Sequence, residues 1–195
     1  MVIIPPYLAS SEWYANWLQS LIATSDPGAS IKEANCKAVS PREFGRTKIR
    51  ETNGKELMLS VAVEGGGRQL RRLENVEKLL LSDHGDWKRV HLSAIEAAYG
   101  KYPFYLHVSD ILSDIFNDTP PGSGLGKLNL RIHEEFANLL LGNFDKNDIK
   151  LLKEKEIIKL RGKEIGEGIT PGISILEPLM KYGPEALIGI IGLSN

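Results

Sequence analysis

The segment that most constrains the fold is WKRVHLSAIEAAYGKYPF, which runs from Trp87 to Phe104. Wound as an α-helix from its first residue, it places a mostly apolar stripe on one face. The members of that stripe are Trp87, Val90, His91, Ala94, Ile95 and Ala98. Glu96 falls on the opposite face, and Gly100 and Pro103 are residues that end helices. We therefore predict an amphipathic helix with a histidine in the middle of its buried face.

The histidine of this helix, His91, has two interpretations. As a core residue, its imidazole would be satisfied by a backbone carbonyl. As a site residue, it would be a general base at the floor of a cleft, because histidine is the side chain whose unperturbed pKa lies nearest neutrality. The sequence leaves both interpretations open.

A β-hairpin is predicted between residues 46 and 63. Arg46 to Ile49 and Leu57 to Val63 flank the dipeptide Asn53-Gly54, which takes positive φ at low cost. The second strand leaves through three consecutive glycines, 65–67, into an arginine-rich stretch. That junction is either an anion-binding nest or a solvated loop.

The remaining pattern indicates an α/β fold in which a mixed sheet, containing the antiparallel hairpin, is packed by several amphipathic helices. We find no internal repeat and no linker, so residues 1–195 are interpreted as a single domain. Strands are predicted at Val2 to Ile4 and at Val76 to Leu81, the latter buried on both faces. Helices are predicted after Ser10 or Ser11, from Phe104 to Ile115, from Leu128 to Leu140, and as two short turns between Ile173 and Leu193.

Charge and composition argue against several classes of partner. A net charge of -1 and the lack of a basic, aromatic-interleaved stripe predict no nucleic-acid binding. The apolar runs, such as Leu187 to Leu193, are too short to span a bilayer. Cys36 is the single cysteine, which excludes an internal disulfide and predicts a reducing, cytoplasmic setting. The four histidines lack the spacing of metal ligands, so no metal site is predicted.

Three motifs occur in order along the chain. The first is YLxxxxWYxxWL, which begins at Tyr7. The second is W-x3-H-x3-I-x2-A-Y-x3-P-F, which begins at Trp87. The third is GITPGISILEPLMKYGPEAL, from Gly168 to Leu187. Together they span most of the chain, and their order resembles that of the WbqC-like proteins of bacterial O-antigen and surface-polysaccharide gene clusters, in particular the Bacteroidetes-type members.

The resemblance implies a transferase of surface-polysaccharide biosynthesis that moves an acyl or amino-acyl group to an amino sugar. Such a reaction needs a base for the sugar amine and a donor for the acyl oxygen. The implied ligand is a small sugar or nucleotide-sugar, with Arg46 on its phosphate or on the oxyanion. The implied catalytic residues are His91, Tyr99 and Glu33, and the implied substrate-binding residues are Arg46, Asn35 and Trp87. The cofactor, the donor group and the oligomeric state are left unassigned.

The chain also departs from the family pattern. The asparagines expected beside Arg46 and after the C-terminal proline are replaced by Gly45 and Gly172. An amide can hold a substrate hydroxyl through two hydrogen bonds, and glycine cannot. The alternative is therefore a diverged, non-catalytic carbohydrate-binding or assembly protein that keeps the fold. The transferase hypothesis requires Arg46 to lie within reach of His91.

Overall fold

The computed structural model of the chain describes residues 4–23, 40–69, 78–142 and 163–193. Within these ranges the chain is a helical assembly against one β-hairpin. The elements are α1 (Ser11–Ala23), β1 (Arg46–Arg50), β2 (Glu56–Ser60), α2 (Trp87–Tyr99), α3 (Tyr105–Asn117), α4 (Leu125–Leu141), α5 (Leu176–Tyr182) and α6 (Ala186–Gly192). The predicted α/β fold class, with an antiparallel hairpin packed by several amphipathic helices, is confirmed, and the sheet that was predicted as mixed consists, within these ranges, of the two antiparallel hairpin strands.

The hairpin forms where the Asn-Gly dipeptide predicts it. Strand β1 pairs antiparallel with β2, with Arg46 opposite Ser60 and Arg50 opposite Glu56. Gly54 has a φ of 83°, in the left-handed region that suits glycine. β2 ends at Ser60, earlier than predicted, because the chain leaves β1 and turns to residues 80–82. Glu64 donates its amide proton to the Leu80 carbonyl there.

The helices begin and end for local reasons. Ser10 caps α1, since its hydroxyl accepts a hydrogen bond from the Trp13 amide at 3.2 Å. Gly100 follows α2, and Gly142, with a φ of 52°, follows α4. Each long helix buries one face in a common core, and β1 contacts both α2 and α5. The hairpin is thereby fixed against the helices.

Three details of the sequence interpretation are wrong. Val90 is 48% exposed, so it lies off the buried stripe of α2. Phe104 precedes α3 and is 38% exposed. The described part of the predicted strand 76–81 forms only isolated bridges, at Leu80 and Leu81, and Leu80 is exposed. The apolar run there contributes alternate side chains to the core, so it is not buried on both faces.

Some predictions fall outside the described residues: most of the first strand, Glu33, Asn35 and Cys36. In the part of the chain that is described, no helix is long and apolar enough to cross a membrane.

Candidate functional site

An open cleft lies where the N-terminal segment meets β1 and the segment before α5. Its volume is about 430 Å³. Residues of three stretches, 6–12, 40–48 and 172, line it together with Met58 of β2. Its polar lining residues are Ser10, Glu12, Ser40, Arg42, Glu43, Arg46, Thr47 and Lys48. The cleft therefore combines charged and hydroxyl groups with a small apolar surface.

Three cations, Arg42, Arg46 and Lys48, face the cleft together with two carboxylates. Lys48 pairs with Glu56 across the hairpin at 2.8 Å. Among the residues that the structure describes, neither Arg42 nor Arg46 forms a salt bridge. The Nε of Arg46 is buried and has no hydrogen-bond partner within the same residues. A buried guanidinium donor without an acceptor is unusual, since such groups are nearly always paired.

Arg46 also approaches the glycine-rich junction after β2. A Cβ built at Gly67 would lie 3.7 Å from Nη2 of Arg46, an ordinary contact. Gly65 and Gly66 both have positive φ, of 74° and 77°. The junction that the sequence offers as an anion nest thus lies beside a cleft arginine. The arginines at 71 and 72 are outside the described residues.

His91 is buried behind the cleft. Its exposed fraction is 3%, and its Nδ1 lies 2.8 Å from the Tyr7 hydroxyl. Burial lowers the pKa of His91 to about 4, although a hydrogen bond to the Ser60 backbone opposes the shift. Because a neutral imidazole carries one N–H, we assign that N–H to the nitrogen that bonds to the Ser60 backbone, so that Nδ1 accepts the hydrogen bond that the Tyr7 hydroxyl donates. Tyr7 lines the cleft, and Ser60 is the strand partner of Arg46. His91 is thus connected to the cleft wall from two sides without lining the cleft.

Trp87 supports this histidine. Its ring meets those of Tyr7 and His91 edge-on, with centroids 6.2 Å and 5.2 Å away. Its indole N–H donates to the Ser82 carbonyl at 2.7 Å. Trp87 lines a second, smaller cavity of about 190 Å³, and it does not line the cleft.

Tyr99 lies in a different polar cluster. Its hydroxyl accepts the Arg50 amide proton at 3.0 Å. Burial raises the pKa of Tyr99 above its usual range, and the nearby Glu177 carboxyl adds to the shift. Burial likewise raises the pKa of Glu177, against the attraction of Arg50 and Lys181. This cluster joins β1 to α2 and α5, and none of its members lines the cleft.

The structure thus gathers part of the predicted site. Arg46 lines the cleft, and His91 and Trp87 lie behind its wall. Tyr99 belongs to the second cluster, and Glu33 and Asn35 fall outside the described residues.

The sequence interpretation did not name Tyr7, Arg42 or Lys48 as site residues. The signal for Tyr7 was its place in the first motif, and the signal for Lys48 was the alternation of basic residues along β1. Both signals were visible in the sequence.

Gly172 also borders the cleft. A Cβ built there would meet no atom of the described chain within 4 Å, its two neighbours excepted, so a larger side chain has room. No group of three or more histidine, cysteine or carboxylate residues that could hold a metal ion occurs in the described ranges.

Comparison with known proteins identifies a family. The model of the WbqC-like protein family matches residues 20–156. No curated protein and no solved structure matches the chain. The matched stretch covers well over half of the sequence and includes β1, the hairpin turn and α2. On this evidence the chain belongs to the WbqC-like protein family.

Proposed function

We propose that this protein binds an anionic sugar precursor, a nucleotide-sugar of bacterial surface-polysaccharide (O-antigen) assembly, in the cleft around Arg46. The observation that carries the proposal is that Arg46 lines the cleft without a salt-bridge partner among the described residues, and that its buried Nε has no acceptor there. Because a guanidinium binds phosphate through two parallel hydrogen bonds, a diphosphate is a suitable acceptor for it.

The rest of the cleft supports a ligand of this class. Arg42 supplies a second cation without a salt-bridge partner among the described residues. Ser10 and Ser40 offer hydroxyls for sugar oxygens, and Met58 offers an apolar surface. The volume of about 430 Å³ lies in the range of roughly 300–1,000 Å³ that is usual for small-molecule sites.

Transfer of an acyl or amino-acyl group to an amino sugar is the second candidate. In that reaction the sugar nitrogen bonds to the acyl carbon of an activated donor, and the bond from that carbon to the leaving group breaks. The amine proton passes to the leaving group through a base. The observation in favour is the hydrogen bond between His91 and Tyr7, a residue that lines the cleft.

The other residues of the transferase hypothesis keep the roles that the resemblance implies. Arg46 would stabilise the acyl oxygen, and Glu33 and Tyr99 would complete the catalytic set. Asn35 and Trp87 would contribute to substrate binding. Neither Trp87 nor Tyr99 lines the cleft, so each would act indirectly. Trp87 would act through the cleft wall, and Tyr99 would act through β1.

Calorimetry with UDP-N-acetylglucosamine and with UDP tests the binding proposal. We expect Arg46→Gln to weaken binding at least about tenfold, since one charge-assisted contact to phosphate is lost. The matched control is Arg89→Gln, because Arg89 is an exposed arginine that pairs with Asp86 and does not line the cleft. Lack of binding by the unmodified protein, or equal losses in both variants, would contradict the proposal.

Mass spectrometry separates the two candidates. The protein is incubated with UDP-glucosamine and acetyl-coenzyme A as an activated acyl donor, and the acylated sugar is sought. A product that His91→Leu abolishes while binding persists would support the transferase. Binding without any product from this donor favours the binding protein.

A further inference from the structure

The cleft wall contains a residue with an unfavourable backbone conformation. Leu8 has a φ of 43°, in the left-handed region that residues with a Cβ rarely adopt. It is fully buried and lies between two cleft residues, Tyr7 and Ala9. Strained residues persist only where the surroundings hold them, and they are frequent at binding sites.

Two side-chain hydroxyl groups bind the same atom of Leu8, its carbonyl oxygen. Thr47 of β1 donates to the Leu8 carbonyl at 2.8 Å, and Ser174 donates to it at 2.9 Å. Both hydroxyl-bearing residues are buried, with exposed fractions of 7% and 0%. Both lone pairs of the carbonyl are therefore occupied, by residues 39 and 166 positions away in sequence.

Backbone contacts extend the same junction. The Ser174 amide donates to the Lys48 carbonyl at 2.8 Å, and the Ile175 amide donates to the Ala9 carbonyl at 2.9 Å. Ser174 thus joins β1 and the N-terminal segment, the two sides of the cleft, through separate atoms.

A third side chain holds the other end of the wall. Asn129 of α4 is fully buried, and its amide nitrogen donates to the Pro5 carbonyl at 3.0 Å and to the Phe44 carbonyl at 2.9 Å. Pro5 directly precedes the N-terminal wall, and Phe44 lies in the segment that carries Arg42. One amide group therefore fixes the spacing of two cleft segments.

We propose that Thr47 and Ser174 are positioning residues of the cleft, which keep Leu8 in its left-handed conformation and so hold Tyr7, Ala9 and Ser10 in the geometry that binds ligand. The claim that these hydroxyls affect ligand affinity rests on the proposed function. The claim that they hold the conformation of the N-terminal wall does not. A preformed wall raises affinity because the ordering cost is met before the ligand arrives.

The test compares Thr47→Val with Thr119→Val. Both threonines are 7% exposed, and both hydroxyls donate to a backbone carbonyl, but Thr119 lies just past the end of α3 and bonds to the Ile115 carbonyl near the end of that helix, four positions away in sequence. Amide hydrogen exchange of residues 7–10, which follow the two prolines, is measured together with affinity for UDP-N-acetylglucosamine. We expect Thr47→Val to speed exchange there and to weaken binding, each at least about fivefold, the effect of one lost hydrogen bond. Thr119→Val should change neither.

Two further variants keep the test decisive. Thr47→Ser retains the hydroxyl and should restore both values. Ser174→Ala removes a single atom and should reproduce the effect if Thr47→Val fails to fold. If the unmodified protein does not bind the sugar nucleotide, the proposed function fails, and the amide exchange of residues 7–10 still tests whether Thr47 and Ser174 hold the wall. The inference is overturned if exchange in Thr47→Val and Ser174→Ala matches that in Thr119→Val, or if exchange speeds up while affinity stays unchanged.

Discussion

The molecule contains two buried tyrosine–histidine pairs that resemble each other closely. In the first, Tyr7 and His91 lie 2.8 Å apart beside Trp87. In the second, the Tyr14 hydroxyl and Nδ1 of His133 lie 3.3 Å apart, with the rings of Trp13 and Trp17 edge-on to the imidazole. Burial lowers the pKa of both histidines to about 4, against the Ser60 backbone in the first pair and the Glu134 charge in the second.

Their positions differ. The first pair joins the N-terminal segment to α2, and its tyrosine lines the cleft. The second joins α1 to α4, and neither member lines the cleft. A buried imidazole bonded to a phenol among tryptophans is therefore a means of joining segments in this chain, and it is not by itself a sign of catalysis. What distinguishes the first pair is its contact with the wall that faces Arg46.

The largest expected effects come from the tryptophans beside each pair. Trp87→Ala and Trp13→Ala should each lower the free energy of unfolding by about 3–5 kcal/mol, because both rings are buried. Only Trp87→Ala should also weaken sugar-nucleotide binding, since Trp87 supports Tyr7. Urea unfolding and calorimetry on both variants measure this difference. Equal effects on binding would remove the distinction between the pairs.

Acid should destabilise the protein through both histidines. Their pKa values of about 4 in the folded protein lie below the ordinary value of 6.5. Between these pH values the unfolded chain binds protons that the folded protein does not. The contribution of the two histidines to the free energy of unfolding is therefore fully present above pH 6.5. It is lost as the pH drops toward 4, by up to about 3 kcal/mol per histidine.

Variants at each histidine test this pH dependence. His91→Leu and His133→Leu should each abolish about half of the acid-induced loss, measured by urea unfolding at a series of pH values. Glu177, whose raised pKa acts in the opposite direction, is common to all variants and serves as a constant background. An unchanged pH profile in either variant would show that the histidine concerned is protonated normally in the folded state.

At pH 7.5 the two histidine variants should differ. His91→Leu leaves the Tyr7 hydroxyl and the Ser60 carbonyl without their partner, which should cost about 1–3 kcal/mol. His133→Leu loses one long bond at 3.3 Å and should cost less than about 1 kcal/mol. Thermal unfolding ranks the two. A larger cost for His133→Leu would reverse the comparison.

A smaller effect than those of the tryptophan variants concerns the hairpin that carries Ser60. Gly54→Val should destabilise by about 1 kcal/mol or more, because a β-branched residue resists the φ of 83°. Gly172→Val is the control, since a Cβ there meets open space at ordinary φ, and its stability should change by less than about 0.5 kcal/mol. Thermal unfolding that fails to separate the two would count against the assigned turn.

The local sequence pattern predicted the helices and the hairpin well. The site was predicted only in part, because it depends on contacts between residues that are far apart in the sequence. The Asn53-Gly54 turn and the bounds of α2 followed from turn chemistry and periodicity. Periodicity failed at Val90, because the stripe it defines is wider than the surface that the neighbouring elements cover. Arg46 could be named from the resemblance. Its lack of a partner, and the contact of His91 with Tyr7, 84 positions away, depend on tertiary structure that no local pattern encodes.

The most direct test of the account is an NMR titration of Arg46 and the two buried histidines with UDP-N-acetylglucosamine. The Nε–H signal of Arg46 is assigned by its loss in Arg46→Lys, and the imidazole signals by His91→Leu and His133→Leu. We expect the Arg46 signal to shift on addition of ligand, while both imidazoles stay neutral down to about pH 5, as buried groups should. An unmoved Arg46 signal together with a His91 that titrates near pH 6.5, its ordinary value, would contradict the account.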